Sequence, residues 1–197
     1  LPSRAQAETV LRVAMTLSDI TYLGGQTDQG GEGWRFAGCT LHETLVNWDL
    51  SRADRPTRLI PGLAQSWQAD PADRRRWTFK LIETARFHDG SRFDADALVW
   101  NMQKLMHPQA PHYDPRQAAQ TFGRLNVIAS VEKLDGFTVA ITTKLPDAMV
   151  PYYFGRIMLS SPAQWEKVGR SWDAFTRAPS GTGPWKFDRL VPRQRLE

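Results

Sequence analysis

Between Leu63 and Trp100 the apolar positions change period twice. Leu63, Gln65 and Trp67 alternate with Ala64 and Ser66, and further on Trp77, Phe79 and Leu81 alternate with Thr78, Lys80 and Ile82. Side chains two apart on a strand share a face. With the polar break Asp70-Pro71-Ala72-Asp73 between the runs, the pattern predicts a β-hairpin with one buried face. Phe87, the turn His88-Asp89-Gly90 and Phe93 come next, and Asp94 stands where a helix N-cap belongs. Leu98, Met102, Leu105 and Met106, with Val99 flanking, then form the apolar stripe of a helix of roughly three turns.

The same reading extends to the rest of the chain. Residues 10–15 predict a strand, followed over 16–33 by a long polar loop carrying Gly24-Gly25 and Gly30-Gly31-Glu32-Gly33. A loop of that length in a compact domain is usually functional or disordered, and its glycines let a ligand or another backbone approach. Its spacing is not that of a dinucleotide fingerprint. A helix is expected over about 36–46 on Leu41, Leu45 and Val46, then a linker over 56–61. Residues 107–116, with three prolines and two histidines, predict an irregular excursion. A second hairpin is expected from 125–131 and 137–143 around Lys133-Leu134-Asp135-Gly136. Residues 147–154 suggest a short helix and 158–160 a strand, and Ser161-Pro162 opens another helix with proline at its first position. After Gly181-Thr182-Gly183-Pro184 a last strand is expected on Trp185, Phe187 and Leu190.

Composition narrows the class. A chain of 197 residues suffices for one good-sized domain or two small ones. The net charge of +4 is spread along the chain, and its densest basic run, Arg74-Arg75-Arg76, falls in a predicted hairpin turn. That reads as a solvated turn and not as a nucleic-acid patch. No apolar run reaches the roughly eighteen residues of a membrane span. Cys39 is the single cysteine, so neither an intrachain disulfide nor a cysteine-rich metal cluster can form. Ala5-Gln6-Ala7 reads as a small-x-small cleavage site, making residues 1–7 the remnant of a secretory signal or a frayed tail.

Candidate chemistry is sparse. His88-Asp89 could pair a general base with an orienting carboxylate, but neighbours in a turn normally point apart and no nucleophile is placed beside them. His107, His112 and Asp114 lie in a proline-rich loop whose spacing sets no coordination geometry. Trp67, Trp77 and Phe79 belong to the core by their alternation, and Trp100 to the core or its boundary. Trp34 differs, because it sits on the glycine-rich loop outside any apolar period, and is a better binding candidate than a tryptophan in a strand.

The order GLA-x-SW, polar turn, WTF-x-L, ARFHDG-x-x-F-x-A-D-A-L-V-W resembles the family-5 extracellular solute-binding proteins, the peptide, oligopeptide and nickel-type binding components of bacterial ABC importers. VLRVAM, LHETLVNWD, VEKLDGFTVAITTKLPDA and SGTGPWKF fall in that family's usual order, so the resemblance spans essentially the whole chain. It implies an α/β chain with a mixed α+β subdomain, in a type II periplasmic-binding-protein-like fold. The expected division is a tail at 1–7, the start of lobe one at 8–46, an inserted subdomain at 47–178 and a truncated return strand at 179–197, with the second lobe absent. It further implies no catalytic residues, no metal and no cofactor. The function implied is capture of a peptide-like solute in the periplasm by closure of two lobes, and its delivery to the permease subunits of an ABC importer. The partners are then a peptide or other small solute, the permease and the missing C-terminal lobe, with no nucleic acid. Carried over residue by residue, the cleft would be lined by Gly30, Gly31, Glu32, Gly33 and Trp34, by Tyr113 over the ligand, and by Arg156 as a basic group. The ligand stays open among peptide, nickel chelate, haem-like group, opine and sugar. Two readings from other classes stand beside this one: a hydrolase using His88 and Asp89 or a site centred on Glu32, and an interaction module recruiting a partner through Trp34.

Overall fold

Both predicted hairpins form, and they share one sheet. The computed structural model describes residues 10–14, 22–27 and 30–197. A helical stretch opens with α1 (Gly30–Gly33), widens to a π-helical turn at Trp34–Gly38 and closes with α2 (Cys39–Leu41). Strand β1 (Val46–Trp48) pairs antiparallel with β2 (Leu59–Pro61). The hairpin β3 (Ala64–Ala69) and β4 (Arg76–Leu81) follows, then helices α3 (Ala95–Met106) and α4 (Pro115–Leu125). The second hairpin is β5 (Ile128–Lys133) and β6 (Thr138–Thr143), after which come α5 (Val150–Phe154), α6 (Pro162–Lys167), α7 (Trp172–Phe175) and the short pair β7 (Leu190–Val191) and β8 (Arg195–Leu196). The four long strands run in the order β3-β4-β6-β5, each antiparallel to its neighbour.

Phe79 is the centre of this sheet and of the main core. It faces Trp67 on β3 and Val139 on β6, and its ring lies 5.7 Å from that of Phe154. Helix α3 covers the same apolar face with Leu98, Met102 and Leu105, all buried. Its start is the expected one, with Asp94 accepting the backbone N–H of Ala97 at 3.0 Å. A smaller cluster lies apart: Leu23, Ala37 and Leu41 with Phe187, Leu190 and Leu196 against them. The early helical stretch is thus packed against the last residues of the chain.

Several expectations give way. A register shift between Ala64 and Ser66 breaks the alternation on β3, so Leu63 and Ala64 are both buried while Gln65 and Ser66 face solvent. Residues 10–14 are exposed and form no strand; Met15 lies outside the described residues, as do residues 1–7 and, from the expected loop, 16–21, 28 and 29. The described end of that loop, Gly30–Gly33, is helical. The helix expected over 36–46 therefore begins earlier and ends at Leu41, and Val46 opens a strand, because a β-branched residue suits the sheet it meets. Part of the expected linker, Leu59–Pro61, is the partner strand of β1. The excursion over 107–116 ends in α4, signalled by Asp114 as N-cap and Pro115 at its first position. Residues 158–160 form no regular strand, and the last pairing is β7 with β8, leaving Trp185 exposed.

Candidate ligand-facing site

The glycine run ends on Trp34, whose ring lies against Arg156. Gly30 and Gly31 are exposed, Gly33 is buried, and Glu32 is engaged on the surface by Arg35 at 3.7 Å. Trp34, half-buried, starts the π-helical turn. The guanidinium carbon of Arg156, just beyond α5, lies 4.8 Å from the centre of the Trp34 ring, a cation–π distance. The indole N–H of Trp34 is buried and has no hydrogen-bond partner among the described residues. Close by, burial pushes the Cys39 thiol up to about 11, with the charge of Arg156 pulling the other way.

Cys39 also lines a cleft of about 340 Å³, shared with His42, Glu43, Asn47 and Thr182. Burial raises the pKa of the Glu43 carboxyl, opposed by the Thr182 hydroxyl and the charge of His88. Beside the cleft the chain comes very close to itself. A Cβ on Gly181 would sit 2.0 Å from the carbonyl oxygen of Leu41, and one on Gly183 would sit 2.4 Å from that of Thr40, so only glycine fits either position.

Behind the cleft a buried polar cluster fixes residues 22–27. The Tyr22 hydroxyl donates to Asp114, as does the side-chain amide of Gln117 at 2.9 Å. Lys104, fully buried, donates from Nζ to the Ser160 hydroxyl at 3.0 Å, and that hydroxyl donates to the Gly24 carbonyl at 2.5 Å. Burial lowers the Lys104 pKa to about 7, with Asp114 opposing. His42 has Nδ1 at 3.0 Å from the Leu159 carbonyl and Nε2 at 3.2 Å from that of Leu23, and burial lowers its pKa to about 4. Burial also raises the Tyr22 pKa, and the Asp114 carboxylate adds to the rise.

The other candidates separate. Tyr113 is half-buried in the turn before α4, and no hydrogen bond, ion pair or ring contact joins it to Trp34 or Arg156 among the described residues. His88 and Asp89 do not address each other. His88 donates from Nε2 to the Gly183 carbonyl at 2.7 Å, while Asp89 accepts from Ser91 and Ser161. The pair staples a turn to residues 180–183, an arrangement without a base poised over a reacting group. His112 stacks on Trp100 at 4.3 Å and donates to the Trp100 carbonyl, so it belongs to an aromatic cluster with Trp165 and Trp172. Sequence reasoning missed Cys39 and Glu43 as lining of this cleft, and no local pattern marks either.

Residues 58–197 match the family described as bacterial extracellular solute-binding proteins, family 5 Middle, and the chain belongs to that family. It is 29% identical over 161 residues to di/tripeptide-binding protein 2 of Pseudomonas aeruginosa, spanning 74% of this chain and 30% of that protein. It is 30% identical over 156 residues to the nickel-binding periplasmic protein of Escherichia coli, spanning 76% of this chain and 26% of that one. Among solved structures, a dipeptide-binding protein from Pseudoalteromonas in complex with Met-Leu superposes with a TM-score of 0.75 at 17% identity, over 88% of this chain and 36% of that one. The periplasmic binding protein DppA of Helicobacter pylori in complex with the peptide STSA gives 0.71 at 24%, over 86% and 34%. These likenesses establish a mixed α/β fold of the periplasmic-binding-protein kind, and the relatives named above are described as binding proteins. The chain spans roughly a third of their length.

Proposed function

We propose that this chain supplies one side of the ligand cleft of a periplasmic solute-binding protein serving an ABC importer, with peptide-like solutes as the ligand class. Membership of the family over residues 58–197 is the observation that carries this reading. The Trp34–Arg156 stack, with Gly30, Gly31, Glu32 and Gly33 beside it, supports placing the ligand-facing surface there. Tyr113, half-buried before α4, stands as a further ligand contact in this reading. The packing of Leu23, Ala37 and Leu41 against Phe187, Leu190 and Leu196 supports joining 8–46 with 179–197 as lobe-one segments around an inserted subdomain at 47–178, into whose core Leu45 and Val46 reach.

Binding would proceed by closure of a second lobe, corresponding to the remaining length of the relatives, over the solute. The closed form then engages the permease. The ligand changes the open–closed equilibrium only through contacts that it makes better in the closed state. Small-angle scattering and thermal unfolding of the intact protein against a peptide library test this. Compaction and a higher Tm with at least one peptide are expected. No change with any peptide, sugar, opine or metal chelate would overturn it.

A further inference from the structure

The cleft shared by Cys39, Glu43, Asn47 and Thr182 holds a carboxylate without a counter-charge. Elsewhere Asp49, Glu132 and Glu166 form ion pairs with arginines, while Asp70, Asp94, Asp135 and Asp147 accept backbone N–H groups at turns and helix starts. Glu83 and Asp188 do neither, but both are exposed. Glu43 is half-buried, and among the described residues it forms no ion pair. No lysine or arginine lines its cleft. His88, whose charge acts on Glu43, is tied through Nε2 to the Gly183 carbonyl at 2.7 Å.

Backbone hydrogen bonds fix both walls of the cleft. The Gly183 N–H donates to the Leu41 carbonyl at 3.1 Å, that of Trp185 to the Thr40 carbonyl at 3.0 Å, and that of Leu159 to the Glu43 carbonyl at 3.3 Å. The Thr182 hydroxyl, buried beside the Glu43 carboxyl, lacks a well-formed hydrogen bond among the described residues. Asn47 adds an amide whose oxygen meets the Thr44 hydroxyl at 3.1 Å. A volume of about 340 Å³ admits a small organic group.

A half-buried carboxylate has lost part of its hydration, and a cation beside it offsets that loss. A primary ammonium suits the cleft better than a bare charge, because its three N–H donors can meet carboxylate and hydroxyl oxygens together. The cleft adjoins the ligand-facing surface described above, since the backbone N–H of Cys39 donates to the Trp34 carbonyl.

We propose that Glu43 and Thr182 form an ammonium subsite, so that the solutes held on this face carry a free primary amino group. The inference rests on the solute-binding reading above and deepens it, by naming the ligand group that this cleft takes.

The test is a titration of this chain with alaninamide, and in parallel with neutral N-acetylalaninamide and with tetramethylammonium, at constant ionic strength held with sodium chloride. The side-chain carboxyl carbon of Glu43 and the methyl group of Thr182 are followed by NMR. Alaninamide is expected to shift both signals saturably, and the other two compounds to leave them unmoved. Glu43→Gln, close in shape, should weaken alaninamide by about tenfold or more, while Glu83→Gln on the exposed surface should change nothing. An equal response to the acetylated compound would overturn the subsite. So would an equal response to tetramethylammonium, or indifference to Glu43→Gln. Should that variant fail to fold, the three-compound comparison on the unaltered chain decides. If a peptide with a blocked amino terminus compacts the intact protein while alaninamide fails here, the subsite falls and the binding-protein reading stands. Saturable alaninamide binding without compaction by any ligand keeps the subsite and removes two-lobe closure.

Discussion

The ammonium of Lys104 lies 3.0 Å from the hydroxyl of Ser160, and neither side chain reaches solvent. Around it stand the Asp114 carboxylate, the Trp172 ring at 5.2 Å and, through space, the His42 imidazole. The arrangement makes stability depend on pH. Lys104 holds its proton less firmly in the fold, near 7 against 10.5, so between those values the unfolded chain binds more protons and stability rises with pH. The displacement corresponds to a few kcal/mol at most, at about 1.4 kcal/mol per pH unit. His42, lowered from 6.5 to about 4, gives a second rise between pH 4 and 6.5. Tyr22 acts oppositely above pH 10, where the folded phenol keeps a proton that the unfolded chain loses. Urea unfolding across pH should therefore show greatest stability on the alkaline side of neutral, and Lys104→Met should flatten the rise between pH 7 and 10.

Asp114 and Asp94 both cap helices, and they should not weigh alike. Asp94 accepts one backbone N–H and is partly exposed, so Asp94→Ala should cost about 1 kcal/mol. Asp114 caps α4 through the N–H of Arg116 and also receives Tyr22 and Gln117 in a buried setting. Losing it strands two buried donors, so Asp114→Ala should cost about 2–4 kcal/mol, and Asp114→Asn less. Chemical denaturation of the three variants checks the order.

Glycine substitutions should split by their surroundings. Gly183→Ala drives a methyl group into the backbone of Thr40 and Leu41 and should destabilise by about 1–3 kcal/mol. On α4, Gly123 has nothing within 4 Å of an added Cβ, so Gly123→Ala should stabilise by roughly 0.5–1 kcal/mol through helix propensity. Thermal melts of both variants would show shifts of opposite sign.

Within the sheet, Phe79 and Trp67 face each other with rings 6.5 Å apart, yet only Phe79 is wholly buried. Phe79→Ala should cost about 3–5 kcal/mol through the cavity it leaves between sheet and α5. Trp67→Ala should cost less, because water can fill the space at the sheet edge. A reversed order in denaturant midpoints would mean that the edge strand carries the core.

His88 shows why a residue pattern can be read two ways until its partners are known. Its neighbour Asp89 could have oriented it, but the tertiary structure sends the imidazole to Gly183 and the carboxylate to Ser91 and Ser161. The burial of Lys104 was equally hidden, since a lysine four residues from Trp100 reads as the polar face of a helix. Its partners come from residues 114, 160 and 172, brought together only by folding.

The period of the apolar positions determined both long hairpins, and the Asp94 cap and apolar stripe determined α3, because strands and helix caps depend on residues close in sequence. Trp34 stood out for the same local reason. What only the tertiary structure decided was the helical turn at Gly30–Gly33, the register shift at Ala64 and the meeting of Trp34 with Arg156. Each depends on contacts between segments far apart in the chain, and side-chain period carries no record of which distant segment will be the neighbour.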